Sequence, residues 1–376
     1  MKKTYKNAFA LFLAFLSVFM LLACNMAEET TYYTRNHKEP EKTMLEIQSG
    51  DIRNYDQLTS ALEDIISAGI KSEILTVVNY AGNLVEDLDK VTEHLINQYP
   101  LGVYSVASIV YKPNFIATYC ELEVLVSYSR SYSDINNIVQ LVERYDLFSR
   151  MGDMISQRDT SNTYQIRRFR LDLDTLYEAF DMQWANSGVY AYGVKDVTFI
   201  FYPSDYWDEY ILEVKFDYTE SLINSIETAE KTLEKAKEVV KDCNASTTDG
   251  KIEYVLDYIK SNVVCDWEAS RVVEETNGRQ PKTSGYTATG ALLEGCAAQS
   301  GIVIATSVLL KELDVENTVI CGLEDGATYY WISVDVNGTK MHIDPCAVYT
   351  NHGACYMDEE QADERFDWNT TLYNMN

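Results

Sequence analysis

The residues able to do covalent or acid–base chemistry are few, so their spacing decides what they could do. The 376-residue chain holds eight cysteines and four histidines. A cysteine beside an imidazole makes the ion pair of acyl-transfer chemistry, in which the thiolate attacks a carbonyl and the ring moves the proton. Cys296 and His342 are candidates for such a pair. Metal chemistry has less support. No Cys-x2-Cys pair occurs and the histidines are scattered, so no zinc-ligand spacing exists. Phosphate-cradling glycine loops, His-Glu-x-x-His and EF-hand loops are also missing, and no cofactor is expected.

A β-hairpin positions His342. Asn337-Gly338, flanked by alternating residues, is a strong two-residue turn signal. With those two as the loop, Val336 faces Thr339, Val334 faces Met341, Ser333 faces His342 and Trp331 faces Asp344. Alternation then puts Tyr329, Trp331, Ser333, His342 and Asp344 on one face. His342 lies four residues along from the level of Tyr329, roughly 13 Å at about 3.3 Å per residue.

The N-terminus bears on compartment. Lys2, Lys3 and Lys6 precede a run from Ala8 to Ala23 in which only Ser17 is polar. As a helix it would reach about 24 Å, short of the roughly 30 Å of a bilayer core, and its layout is that of a secretory signal. Leu21-Leu22-Ala23-Cys24 resembles a bacterial lipoprotein signal, which implies cleavage after residue 23, lipidation of Cys24, and an extracytoplasmic protein anchored to the cell membrane. Residues 24–42 are polar and aperiodic, as in a tether. The formal net charge is −27, and loss of the leader with its three lysines makes it −30. Such a surface repels phosphate backbones and excludes nucleic acid as a partner. Apart from Cys24, seven cysteines remain, an odd number that cannot all pair within the chain.

The middle of the chain is duplicated. Asp87-Leu88-Asp89, Glu93 and Gly102-Val103-Tyr104 reappear as Asp172-Leu173-Asp174, Glu178 and Gly188-Val189-Tyr190. Tyr111-Lys112-Pro113 has its counterpart in Tyr202-Pro203; Leu122-Glu123-Val124 with Tyr128 returns as Leu212-Glu213-Val214 with Tyr218. Leu84, Leu88, Val91 and Leu95 have helical spacing, whereas Leu122, Val124 and Val126 alternate as in a strand. Each unit, about 84–145 and 169–235, is expected to run helix, strand, turn, strand, helix. Two such units could pair into one antiparallel sheet. The expected fold class is α+β, with the duplicated units in 43–235 followed by a domain at 236–376.

That last domain resembles the transglutaminase-like superfamily, a papain-fold group that includes many bacterial surface proteins. The resemblance rests on Asp257-Tyr258-Ile259, the run Thr287-Ala288-Thr289-Gly290-Ala291-Leu292-Leu293-Glu294-Gly295, Leu309-Leu310-Lys311-Glu312-Leu313, Trp331 and Ile343-Asp344-Pro345. In that family a nucleophilic Cys follows the Gly by four residues at a helix N-terminus, a strand His is the base, and an Asp in the next strand orients it. An ungapped alignment puts the nucleophile position at Gln299, with Gly301 two residues on as the family expects, and the base position at Tyr329. Only Asp344 keeps the family's residue. The resemblance therefore implies a degenerate site. Its cleft, lined by Gln299, Gly301, Tyr329, Trp331 and Asp344, would bind a peptide, cell-wall fragment or protein partner, or only hold the architecture. The alternative is an active cysteine peptidase, amidase or transglutaminase with a relocated Cys296–His342 pair. A cysteine ahead of the helix start would gain less from the helix dipole. A third reading assigns binding to the duplicated units.

Overall fold

The duplication shapes the first half of the fold. The computed structural model describes residues 51–205, 209–219, 221–279, 282–349 and 355–373. The leader, Cys24 and the tether lie outside the described residues. No helix among the described residues is long and apolar enough to cross a membrane.

The first repeat runs α1 (Tyr55–Ser67), β1 (Ser72–Val77), α2 (Leu84–Asn97), α3 (Pro100–Ser105), β2 (Val106–Ile116), β3 (Tyr119–Tyr128) and α4 (Tyr132–Asn136). After a short β4 (Val139–Leu141), the second runs α5 (Arg144–Gln157), β5 (Ser161–Arg167), α6 (Leu173–Asn186), a 3-10 turn (Gly188–Ala191), β6 (Val194–Tyr202), β7 (Glu209–Tyr218) and α7 (Leu222–Val240). Each repeat thus begins a helix and a strand earlier than the sequence signal suggests, and α5 opens the second unit.

The likeness extends to detail. Helices α2 and α6 are both 14 residues long and capped by Asn83 and Asp172, whose side chains accept backbone N–H bonds in the first turn. Asp172 is thus the counterpart of Asn83, and the Asp-Leu-Asp match lies one helical turn out of structural register. Both hairpins carry a register shift at the same place, Val106/Ser108 and Val194/Asp196. The phenols of Tyr128 and Tyr218 both donate back to the loop joining the first helix to the first strand, at Ile70 O (3.0 Å) and Asp159 O (3.1 Å).

The two repeats form separate sheets, ordered β1-β3-β2 and β4-β5-β7-β6, in place of the single antiparallel sheet expected. In each, the last strand of the repeat is flanked by two partners of its own, so no edge of it is left to join the other repeat. Their cores also differ. The first repeat packs around Leu58, Leu62, Leu88, Leu95, Leu122 and Val124, and borrows Ile211 from β7. The second shares one continuous core, from Leu141 to Leu372, with the C-terminal region. Residue 235 falls inside α7, whose Ala229, Ala236 and Val239 belong to that shared core.

The C-terminal region continues with α8 (Thr248–Asn262), β8 (Val264–Cys265), α9 (Trp267–Glu275), β9 (Cys296–Ala297), α10 (Gln299–Glu312), β10 (Asn317–Glu324), β11 (Ala327–Val336), β12 (Thr339–Ile343), a 3-10 segment (Pro345–Tyr349), β13 (Tyr356–Asp358), α11 (Glu359–Arg365), β14 (Phe366–Asp367) and α12 (Thr370–Tyr373). Every residue of α10 from Gln299 to Leu310 is buried, as an all-round apolar helix must be. Strands β13-β12-β11-β10-β14 form an antiparallel sheet. Helix α10 packs on the face carrying Val319, Tyr330, Ile332 and Val334; Met357, Ala362 and Phe366 cover the other, with Ile320 and Trp331. The architecture is α+β.

Candidate functional site

The hairpin forms in the expected register: Val336 opposes Thr339, Val334 opposes Met341 and Ser333 opposes His342. Asn337 (φ +57°) and Gly338 (φ +81°) both adopt the left-handed conformation of a tight hairpin turn. One face therefore carries Tyr329, Trp331, His342 and, just past the strand end, Asp344. The Tyr329 hydroxyl donates to Asp344 at 3.1 Å to Oδ2. A tyrosine thus occupies the contact that the resemblance gives to the base and its orienting carboxylate.

Gln299, the first residue of α10, sits against the same strand. Its Nε2 donates to the Tyr330 carbonyl and its Oε1 accepts from the Tyr330 N–H at 3.2 Å. The backbone N–H of Gln299 donates to Ser270 Oγ at 2.9 Å. A thiolate at a helix N-terminus draws its stability from such unpaired N–H groups. Here the side chain is clamped to a peptide group and its own N–H is spent on a hydroxyl. Tyr329 and Asp344 are brought together, and Gln299 joins the peptide group of the neighbouring Tyr330, so the three positions form a closed polar junction.

Asp344 is fully buried and balanced by charge. Arg365, from the end of α11, donates to its Oδ2 at 2.6 Å and to Glu324 at 2.6 Å; the Cys346 N–H donates to Oδ1 at 3.0 Å. Burial works against the Arg365 cation, but its bonds to Glu324 and Asp344 outweigh that and hold it protonated above its ordinary range. Burial, and then the Asp344 charge, push the Tyr329 phenol far up, so it stays a hydrogen-bond donor.

Two of the five residues expected in the cleft, Trp331 and Gly301, are packed into the interior instead. Trp331 is 0% exposed, stacked on Phe366 at 4.1 Å between ring centroids and edge-on to Trp368. Gly301 is buried, and a Cβ there would stand 2.8 Å from Gly285 O and 2.9 Å from Thr287 O. Its role is to let that loop cross α10 closely.

The alternative pair is not assembled. His342 is 0% exposed, and both ring nitrogens are engaged. Trp331 Nε1–H, which can only donate, points at Nδ1 (3.0 Å), so Nδ1 accepts and Nε2–H donates to Glu359 (3.0 Å). This ring lies on the sheet face turned away from α10. Cys296 is exposed on β9, opposite Val264. Slight burial and then the nearby Asp266, Cys265 and Glu294 raise its thiol above the ordinary value, the reverse of an activated nucleophile. Among the described residues, no group of three or more His, Cys, Asp or Glu is arranged to hold a metal ion.

Sequence reasoning missed Arg365 and Ser270, which balance and close the site. Neither carries a local signal. Arg365 is the one basic residue in an otherwise acidic short helix, and Ser270 is a mid-helix serine.

No protein-family model matches the chain, and no curated protein matches it. Among solved structures, the chain is similar to a TGase, at 12% identity and a TM-score of 0.31 over 64% of this chain. It is also similar to a candidate protease from Parabacteroides distasonis ATCC 8503, at 7% identity and a TM-score of 0.24 over 72% of this chain. The chain spans 65% of the first protein and 39% of the second.

Proposed function

We propose that the C-terminal region is a transglutaminase-like, papain-fold domain without thiol–imidazole catalysis, serving a lipid-anchored surface protein as a binding or scaffolding module. One observation carries the reading: Gln299, at the start of the buried helix α10, is locked on both sides of its amide to the Tyr330 peptide group. An acyl-transfer enzyme needs a free nucleophile there, a base within hydrogen-bond reach of it, and room for the acyl group. The ligand class is a peptide, cell-wall fragment or protein partner, met by a protein anchored through Cys24 on the outer side of the cell membrane. With the junction closed, recognition falls to other surfaces, the duplicated units among them.

The test is amine incorporation into a glutamine-containing protein, together with covalent labelling by a thiol-reactive substrate analogue. The expected result is no turnover above background and no labelling that depends on His342. Labelling of Cys296 abolished by His342→Ala, with turnover, would overturn the proposal. Fatty-acid incorporation lost in Cys24→Ser tests the anchor separately.

A further inference from the structure

The C-terminal region gathers several thiols around its closed junction, and two of them meet. Cys265 lies on β8 opposite Ala297, and the next residue, Asp266, donates its N–H to Ala297 O at 2.8 Å. Two residues beyond Ala297 is Gln299, whose carbonyl is 4.0 Å from Cys346 Sγ. From the other direction, the Tyr349 phenol donates to Val263 O at 2.8 Å and Ile259 O at 3.0 Å. The 3-10 segment holding Cys346 is thus pinned to the chain just before Cys265 and touches the α10 N-terminus beside it. Both thiols are buried, 7% and 1% exposed, and they are in side-chain contact with each other.

From this geometry we propose that Cys265 and Cys346 form a disulfide bond that staples the segment after Asp344 to β8, beside the α10 N-terminus. Cys355 is the competing partner by sequence proximity, but its thiol donates to Asp344 O at 3.3 Å. The bond closes a loop of about 80 residues and so removes much of the freedom of the unfolded chain.

The chemistry needs an oxidant, here a small-molecule disulfide. The Cys265 thiolate attacks one sulfur of that disulfide and expels its other half as a thiolate. The Cys346 thiolate then attacks the Cys265 sulfur and expels the second half. The protein loses two protons and two electrons, and the oxidant leaves as two thiols. Because both thiols are buried in the folded chain, the exchange belongs to folding in an oxidising compartment.

The experiment folds the purified chain in oxidised and reduced glutathione, blocks remaining thiols with an alkylating agent, and reads intact mass and peptide linkage. The expected product is lower in mass by about 2 Da before alkylation, takes up two fewer alkyl groups, and yields one peptide pair joining Cys265 to Cys346. Its Tm is expected to stand about 5 °C or more above that of the reduced chain. Cys296→Ser and Cys355→Ser leave this pattern intact, and Cys265→Ser and Cys346→Ser each abolish it. If either of the last two fails to fold, linkage mapping of the unmutated chain decides alone. A Cys346–Cys355 linkage, or a folded oxidised chain with both thiols alkylated, overturns the proposal. Folding in glutathione tests the geometry apart from compartment; thiol state in a membrane fraction tests the surface location.

Discussion

Replacing Arg365 by methionine probes whether Asp344 is held as a structural anion. Asp344 has three donors: Arg365 Nη2 at 2.6 Å, Cys346 N at 3.0 Å and Tyr329 Oη at 3.1 Å. Arg365→Met keeps an aliphatic stem against Phe366 and deletes the only cation paired with Asp344 among the described residues, leaving a fully buried carboxylate with two neutral donors. Removing one partner of a buried pair costs about 3–5 kcal/mol, the size of a close charge pair at an effective dielectric near 20. The Arg365–Glu324 bond is partly exposed, at 18% and 28%, and adds about 1 kcal/mol. The expected loss is therefore about 3–5 kcal/mol. Asp344→Asn removes the charge but keeps an acceptor for Arg365 and Tyr329, while Glu324 still pairs with the guanidinium, so its loss is about 1–2 kcal/mol. The double variant should cost less than the two singles combined, by about 2 kcal/mol. Urea unfolding followed by tryptophan fluorescence reads all four proteins, with Trp331 and Trp368 beside the site. A loss below about 1 kcal/mol for Arg365→Met, or strict additivity, would refute the view that the cation holds Asp344 in place.

Three further outcomes follow from the same structure. Gln299→Ala should destabilise the chain by about 2–3 kcal/mol, since it strips both hydrogen bonds from the buried Tyr330 peptide group; chemical unfolding measures it. Burial pushes the phenols of Tyr128 and Tyr218 from 10.0 up to about 12. Each keeps its proton in the folded chain after the unfolded chain has lost it, so their contribution is full below pH 10 and drains away as pH rises from 10 to 12. Tyr128→Phe should flatten that alkaline decline in Tm against pH, at the cost of about 1 kcal/mol at neutral pH. Gly69→Ala should cost about 1 kcal/mol and Gly69→Asn less: the position is left-handed (φ +64°), as its counterpart Arg158 is (φ +63°), and the clash at Tyr132 is relieved by turning that exposed ring.

Legibility followed the range of the interactions. Helix α2 could be read from Leu84, Leu88, Val91 and Leu95 because its periodicity is local, and all four are buried. The repeats could be found, yet Asp-Leu-Asp was matched one turn out of register, because a short motif reports residue type and not its place on a helix. Trp331 and Gly301 were read as cleft residues from their place in a motif; whether a motif faces a cleft depends on what packs over it.

The sequence by itself determined the hairpin register, since two residues that tolerate left-handed geometry leave one way to align the strands. That register carried Tyr329 to Asp344 and set His342 apart from them. The absence of a cysteine and a histidine at the expected positions was also complete in the sequence. Tertiary structure alone decided what became of the site. Arg365 reaches Asp344 across 21 residues, Ser270 reaches Gln299 across 29, and Cys265 meets a thiol about 80 residues away. Such contacts obey no local period. They arise because α10 and the two faces of the sheet bring separate segments together, and each polar group desolvated there must find a partner.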